Sequence, residues 1–208
     1  MQLYKPSSLI LPPEHLVDQL TQTLTFAPSP RRADAAVLLA ITNEAEPQVL
    51  LTRRATHMRH HAGEVSFPGG RREQGDTSNI VVALREAHEE TGLSPFAVQL
   101  LGELPSQRSK SGMWVKPIVG LIPPCVEHQA QPEEIDRIFY VPLRHIMTAQ
   151  PLPYPVQLNQ SQFYMPSFQL DNEIIWGLTA RILVSLFRRG LKQPVEWPLL
   201  MNEIDPKF

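Results

Sequence analysis

The 208-residue chain has a single cysteine, Cys125, which excludes an internal disulfide and any metal site built from cysteines. That scarcity fits a reducing compartment, and Cys125 reads as a structural residue. Neither charge sign is in excess. A formal net charge of −2 provides no general attraction to nucleic acid or to an anionic membrane, so an anionic ligand must be recognised by a local basic patch. Long apolar runs are also missing. The run from Ile174 to Phe187 is interrupted by Gly177, Thr179, Arg181 and Ser185 and falls short of the roughly 20 residues a bilayer span needs, so it is expected to be a core-packed helix. The opening residues from Met1 to Pro6 lack a basic region followed by an apolar stretch, so no signal peptide is expected and the protein is expected to be cytoplasmic. No internal repeat or long linker divides the chain.

Proline is plentiful, at 21 residues, and punctuates an α/β pattern. Leu16 to Leu24, behind Pro12 and Pro13, predicts an N-terminal helix. Aliphatic and β-branched runs predict strands at Ala35 to Ile41, Val49 to Arg53, Val98 to Leu104, Val115 to Ile122 and Ile138 to Val141. A second long helix is expected from about Ile174 to Arg189, stopped by Gly190, while Pro151 to Pro166 reads as an irregular proline-rich loop. The expected organisation is an N-terminal extension with a short helix (1–33), one main domain (34–190) with a mixed sheet between helices, and a tail (191–208).

The segment from Ile80 to Gly92 carries the chemistry. Ile80, Leu84, Ala87 and Thr91 fall within an arc of roughly 60° on a helix, which predicts the core face. Glu86, Glu89 and Glu90 share an arc of about 100° on another face, where like charges repel by roughly 0.2–0.5 kcal/mol per pair. Gly92 is the expected C-terminal stop, so the negative end of the helix dipole adds to the penalty. Arg85 can relieve Glu89 at i+4, which leaves Glu86 and Glu90 without a local cation. A solvated acidic face is the plain alternative, but Gly69 and Gly70 lie just upstream, where backbone can approach a phosphate or a metal without obstruction. Magnesium takes oxygen ligands from one or two carboxylates, waters and substrate phosphates, and this set suits it. Asp76 is expected to cap the helix N-terminus.

These residues resemble the signature of the Nudix hydrolases: a glycine, a spacer, then Arg85-Glu86, an aliphatic, any residue, Glu89-Glu90, any residue, Gly92 and Leu93. The first half departs from the general pattern, since the sixth residue after Gly70 is Asp76 and not glutamate, and Arg85 comes one residue late. Upstream, Leu50 to Ala55, Arg59, Gly63 and Phe67 to Gly70 resemble a second signature, that of the coenzyme A pyrophosphatases. Later blocks in matching order are Ser111-Gly112 with Val115, Pro117 and Val119-Gly120, then Pro132 to Ile135 leading to Phe139 and Val141 to Leu143, and Ile175 to Ala180. The likeness covers roughly residues 34 to 190 and implies a Nudix fold.

The resemblance implies metal-dependent hydrolysis of the diphosphate bond of coenzyme A, releasing 3′,5′-ADP and 4′-phosphopantetheine. Glu86, Glu89 and Glu90 are the expected ligands of Mg2+ or Mn2+, and Arg85 is expected to orient them. Glu134, with neighbouring Glu133, lies where many Nudix hydrolases place a further carboxylate that binds metal or activates water. Arg53, Arg54, Arg59, Arg71 and Arg72 form the local basic patch; Arg53, Arg54 and Arg59, with Gly69 and Gly70, are the expected substrate contacts, Arg59 foremost. His57, His60 and His61 are expected bystanders. Two other readings stay open: a broader pyrophosphatase acting on dinucleotides, ADP-ribose or other nucleotide conjugates, and a non-catalytic binding or regulatory protein on the same fold. The expected partner is a small molecule, with no nucleic acid or membrane, and a homodimer is left open.

Overall fold

A computed structural model describes residues 11–28, 31–58, 61–149, 151–158, 161–170 and 172–193. Eight strands form one mixed sheet: β1 (Ala35–Thr42), β2 (Gln48–Arg54), β3 (Val65–Ser66), β4 (Gly69–Arg71), β5 (Gln99–Glu103), β6 (Gln107–Arg108), β7 (Trp114–Ile122) and β8 (Ile135–Pro142). The parallel pair β1 and β7 runs through its centre, from Ala35 opposite Val115 to Thr42 opposite Ile122. On its other edge β1 meets β4 at residues 35–37 and β2 at Ile41, both antiparallel. β2 continues outward to β3 and β8, and β7 to β5 and β6.

Alternation along β1 explains the two cores. Ala36, Leu38 and Ala40 face one side with Leu50, Ile118 and Ile122, and α2 (Asn79–Thr91) covers them with Val82, Ala83 and Ala87. Leu39 and Ile41 face the other side with Val49, Leu51, Val119 and Leu121. There the cover comes from α1 (Leu16–Thr23), α3 (Leu143–Thr148) and α4 (Gly177–Ser185), with a small antiparallel sheet of β9 (Leu152–Leu158), β10 (Ser161–Leu170) and β11 (Glu173–Trp176). The expected α/β architecture, a mixed sheet between helices, is what the chain adopts. Among the described residues no helix is long and apolar enough to cross a membrane.

All five strands expected from the sequence are present, as is the N-terminal helix. Two expectations are corrected. Of the residues expected to form an irregular loop, 152–158 and 161–166 are instead in the paired strands β9 and β10, and β9 is an edge strand that tolerates Pro153 and Pro155. Residues 174–189 are not one helix. Ile174, Ile175 and Trp176 pair with β10, Gly177 turns the chain at φ +62°, and α4 follows until a wider π-type turn over Leu186–Gly190. The β-branched and aromatic residues before Gly177 favour a strand.

An ion pair is buried in the sheet: Lys116 Nζ of β7 donates to Glu103 Oε1 of β5 at 2.9 Å, with both side chains under a tenth exposed. Removing one partner strands the other charge. Lys116→Met should therefore destabilise the fold by about 3–5 kcal/mol, whereas Lys116→Met combined with Glu103→Leu should recover most of that loss in urea denaturation. A double variant no more stable than the single one would contradict this account of the pair.

Candidate active site

Helix α2 begins where Ser78 caps it, its hydroxyl accepting from Val81 N at 3.1 Å, and ends at Gly92, whose φ of +72° suits glycine. Asp76 is thus not the cap. Its carboxylate accepts from the backbone of Glu73 at 2.8 Å and from Arg85, whose Nη2 donates to Asp76 Oδ2 at 3.0 Å and Nε to Oδ1 at 3.3 Å. These bonds hold the Asp76 carboxyl below the usual carboxylate range. The same guanidinium donates to Glu86 Oε1 at 3.0 Å, Glu89 Oε2 at 2.8 Å and the Arg71 carbonyl at 3.0 Å. Arg85 therefore ties the loop before the helix to two of its glutamates, and its proton is held more firmly than usual, chiefly through the bond to Asp76.

The expected core face of α2 is present but incomplete: Ala87 and Thr91 are buried and Ile80 and Leu84 pack at the rim, while the buried arc is turned by about 80° from the expected one so that Glu90 is inside it, only 4% exposed, with Glu86 beside it. The small residues of β4 make this packing fit. A Cβ on Gly70 would collide with the Glu86 carboxylate, and Gly69 N donates to Glu90 Oε2 at 3.0 Å. A solvated acidic face is excluded for these two residues.

Glu90 also has a cation that local spacing could not reveal. Arg54, at the end of β2, brings Nη1 to 3.6 Å from Glu90 Oε1 and Nη2 to 3.9 Å from Glu134 Oε2, while its buried Nε has no hydrogen-bond partner. Both separations exceed hydrogen-bond length, so the guanidinium sits among the acids with donors to spare. Burial pushes the Glu90 carboxyl up to about 7 despite the Gly69 amide and the Arg54 charge, and it raises Glu86 as well, against the pull of Arg85. The half-exposed Glu134 is close enough to add to both shifts.

Glu134 is brought there by the loop between β7 and β8, which docks on the end of α2. Gln131 N donates to the Glu90 carbonyl at 3.1 Å and Gln129 N to that of Thr91 at 2.9 Å, satisfying helix-end acceptors. Ala55 N donates to the Glu134 carbonyl at 2.8 Å. Glu133 is exposed, and its carbonyl faces His57 at 3.1 Å.

The arginines expected to bind substrate divide into groups. Arg53 points to the opposite face from Arg54, where it bonds Asp136 at 2.9 Å and the buried Glu173 of β11 at 3.2 Å, so it braces the two sheets. Alternation of side chains along β2 dictates this separation. Arg72 is also committed: Nε donates to the Ala33 carbonyl at 3.0 Å, Nη1 to the Asp76 carbonyl at 2.9 Å, and Nη2 to Asn79 Oδ1. Arg71 is exposed. Arg59 and His60 lie outside the described residues. The clamp of Arg72 and Asn79 was not read from the sequence, and no local pattern signals it, because its partners are backbone atoms of residues 31–34 and 76–78.

A divalent cation fits this donor set. The oxygens of Glu86, Glu89, Glu90 and Glu134 are hard ligands, and a buried carboxyl raised to about 7 is a group short of positive charge. Among the described residues no three His, Cys, Asp or Glu side chains are already arranged to hold a metal ion. Protein cations divide the acids: Glu86 and Glu89 share Arg85, and Glu90 lies beside Arg54.

Because the folded value of Glu90 lies above its ordinary 4.5, the folded chain binds more protons than the unfolded chain between about pH 4.5 and 7, and this group's contribution to stability falls as pH rises through that window. In chelator-containing buffer, Glu90→Gln should gain on the wild type by on the order of 3 kcal/mol between pH 4.5 and pH 8 in denaturant titrations. A stability difference that stays constant over that range would contradict the burial of an ionisable Glu90.

The NUDIX domain family matches residues 31–164. The chain is 39% identical over 158 residues to the uncharacterized Nudix hydrolase NudL of Enterobacter sp. (strain 638), covering 74% of this chain and 81% of that one. It is 40% identical over 169 residues to the uncharacterized Nudix hydrolase NudL of Photorhabdus laumondii, covering 78% and 90%. A crystal structure of a MutT/nudix family protein from Enterococcus faecalis aligns with 90% of this chain and 76% of that one, at a TM-score of 0.48 and 14% identity. With a family match over most of its length and relatives of this similarity, the chain belongs to the Nudix hydrolases.

Proposed function

We propose that this Nudix hydrolase cleaves the diphosphate bond of coenzyme A, or of its acyl or oxidised derivatives, to 3′,5′-ADP and 4′-phosphopantetheine, using Mg2+ or Mn2+ held by Glu86, Glu89 and Glu90. The observation that supports the metal-site reading is the packing of the buried Glu90 and the partly buried Glu86 against Gly69 and Gly70, where the metal-ligating atoms on offer are carboxylate oxygens. The substrate reading rests on the Leu50 to Gly70 block, which resembles the coenzyme A pyrophosphatases.

When bound, the cation supplies positive charge that screens the diphosphate and acidifies water. The protein's own groups do the rest. Arg85 fixes Glu86 and Glu89 in orientation through its bonds to both and to Asp76. Arg54, with an unsatisfied Nε and loosely held Nη atoms, is placed to bind diphosphate oxygens once they enter beside Glu90. Gly69 and Gly70 keep that wall free of side chains, and Arg59 contributes a further phosphate contact. Glu134, at the open rim, takes the proton from the attacking water on its carboxylate, a task for which its half-exposed position leaves access to solvent. The broader pyrophosphatase reading uses the same groups and differs only in what lies beyond the diphosphate.

Glu89→Gln keeps shape and helix propensity while removing a charged ligand, so kcat at saturating magnesium should fall by orders of magnitude with the fold retained. Near-wild-type turnover would overturn the ligand assignment. For the substrate, kcat/KM on coenzyme A should exceed that on ADP-ribose by about tenfold or more, with 3′,5′-ADP identified as product. Equal values would favour the broader pyrophosphatase, and an absence of metal-dependent turnover on any diphosphate would favour a binding protein.

A further inference from the structure

A helix that ends inside a protein must find partners for its last carbonyls, and α2 finds them in the segment from Pro123 to Glu134. Gln129 N donates to the Thr91 carbonyl at 2.9 Å, His128 Nδ1 donates to the same oxygen at 3.2 Å, and Gln131 N donates to the Glu90 carbonyl at 3.1 Å. The seat is close, for a Cβ on Gly92 would crowd the Gln129 backbone. Gln131 serves two partners. Its amide holds the backbone of Glu90, while its carbonyl accepts from Glu134 N at 3.0 Å and from Ile135 N at 2.8 Å. Two backbone hydrogen bonds through one residue thus link Glu90 to Glu134, the two carboxylates that flank Arg54.

A side-chain pair holds this segment from the sheet. The Thr91 carbonyl can only accept, so His128 Nδ1 carries the proton in that bond, and Nε2 of the neutral ring is left as an acceptor. It takes the hydroxyl of Tyr140 on β8. The rings also meet, with centroids 5.6 Å apart and planes tilted by 46°. Tyr140 stands opposite Leu50 of β2 and, like Val126 of the segment itself, packs against the core beneath α2, so its hydroxyl is delivered from the main sheet. Burial supports these protonation states. It lowers the His128 pKa against the bond to Thr91 and, with smaller contributions from Glu44 and Cys125, pushes the Tyr140 phenol up to about 12.

We propose that Tyr140 and His128 are positioning residues: they pin the segment between β8 and the end of α2, and through Gln131 they fix Glu134 relative to Glu90. This rests on the diphosphatase reading above and deepens it, because it explains how a half-exposed carboxylate on a loop is kept in place beside a buried one on a helix. Neither side chain is asked to touch the substrate. Their effect passes through the backbone of Gln131.

Tyr140→Phe removes one hydroxyl and keeps the ring, its packing and its place in β8. Amide hydrogen exchange in the full chain reads the pin directly. The Gln129, Gln131 and Glu134 amides should exchange about fivefold faster or more in the variant, the size expected for one lost hydrogen bond, while amides of β1 and β7 stay as in wild type. In the magnesium-loaded enzyme kcat should fall by about fivefold or more with KM unchanged, since substrate contacts are intact and only the placement of Glu134 has loosened. His128→Gln keeps an acceptor for the Tyr140 hydroxyl and should retain more of kcat than His128→Ala, and adding Tyr140→Phe to His128→Ala should cost nothing further. Faster exchange with wild-type kcat would make the pair merely structural and overturn the positioning role. Unchanged exchange would overturn it as well, because the segment would then be held without the pair. If the wild type cleaves no diphosphate, the functional reading fails and exchange alone decides: faster exchange at the three amides sustains the pin, and unchanged exchange removes it.

Discussion

Everything in this site depends on drawing two carboxylates, the buried Glu90 and the partly buried Glu86, into the packed side of one helix. A helix that turns Glu86 and Glu90 toward a sheet would ordinarily be rejected by it, because removing charge from water is costly unless partners are supplied. Here the sheet supplies room through the glycines of β4, an amide donor through Gly69 and a cation through Arg54. The compensation is incomplete, as the raised Glu90 carboxyl records. An acidic site short of positive charge is what a divalent cation fills.

The rest of the architecture serves that arrangement. Arg85 and Asp76 lock the loop onto the helix, Arg72 and Asn79 lock the segment before β1 onto the helix start, and the loop from Pro123 to Glu134 closes on the helix end. Three separate stretches of chain are thereby fixed to α2, at its beginning, its middle and its end. Arg53 anchors the small sheet on the opposite side, which explains why two adjacent arginines have unrelated tasks. The three glutamates are divided between two guanidinium groups in this state, and cation binding must compete with those ion pairs.

Much of the fold could be read along the chain. Strands β1, β2, β5, β7 and β8 announce themselves by aliphatic runs between turn residues, and Gly92 marks the end of α2. The failures share a physical cause. The expected core face of α2 contained Ala87, Thr91 and the rim residues Ile80 and Leu84 but missed Glu90 and Glu86, which turn inward over Gly69 and Gly70, contacts that periodicity within α2 does not encode. Arg54 and Glu134 were named as site residues through the resemblance, but Arg54 reaches Glu90 from 36 positions away and Glu134 arrives from the other direction, so their meeting there is not encoded in local spacing. The β9–β10 hairpin was hidden by prolines that an edge strand accommodates. The three glutamates, Arg85 and its pair with Glu89 were legible because their crowding is local; that Arg54 and the Gly69 amide pair with Glu90 was not, because those contacts depend on tertiary structure.

A divalent cation is expected to complete the charge balance of the incompletely compensated Glu86 and Glu90. Titration with Mn2+, followed by the loss of the free-ion electron paramagnetic resonance signal, reads this without reference to any substrate or turnover. The wild type should bind Mn2+, with Mg2+ competing, and Glu90→Gln should lower the affinity by about tenfold or more as a charged oxygen ligand is removed. Mn2+ binding of equal strength in both proteins would contradict the account, since the cation would then be held by other residues.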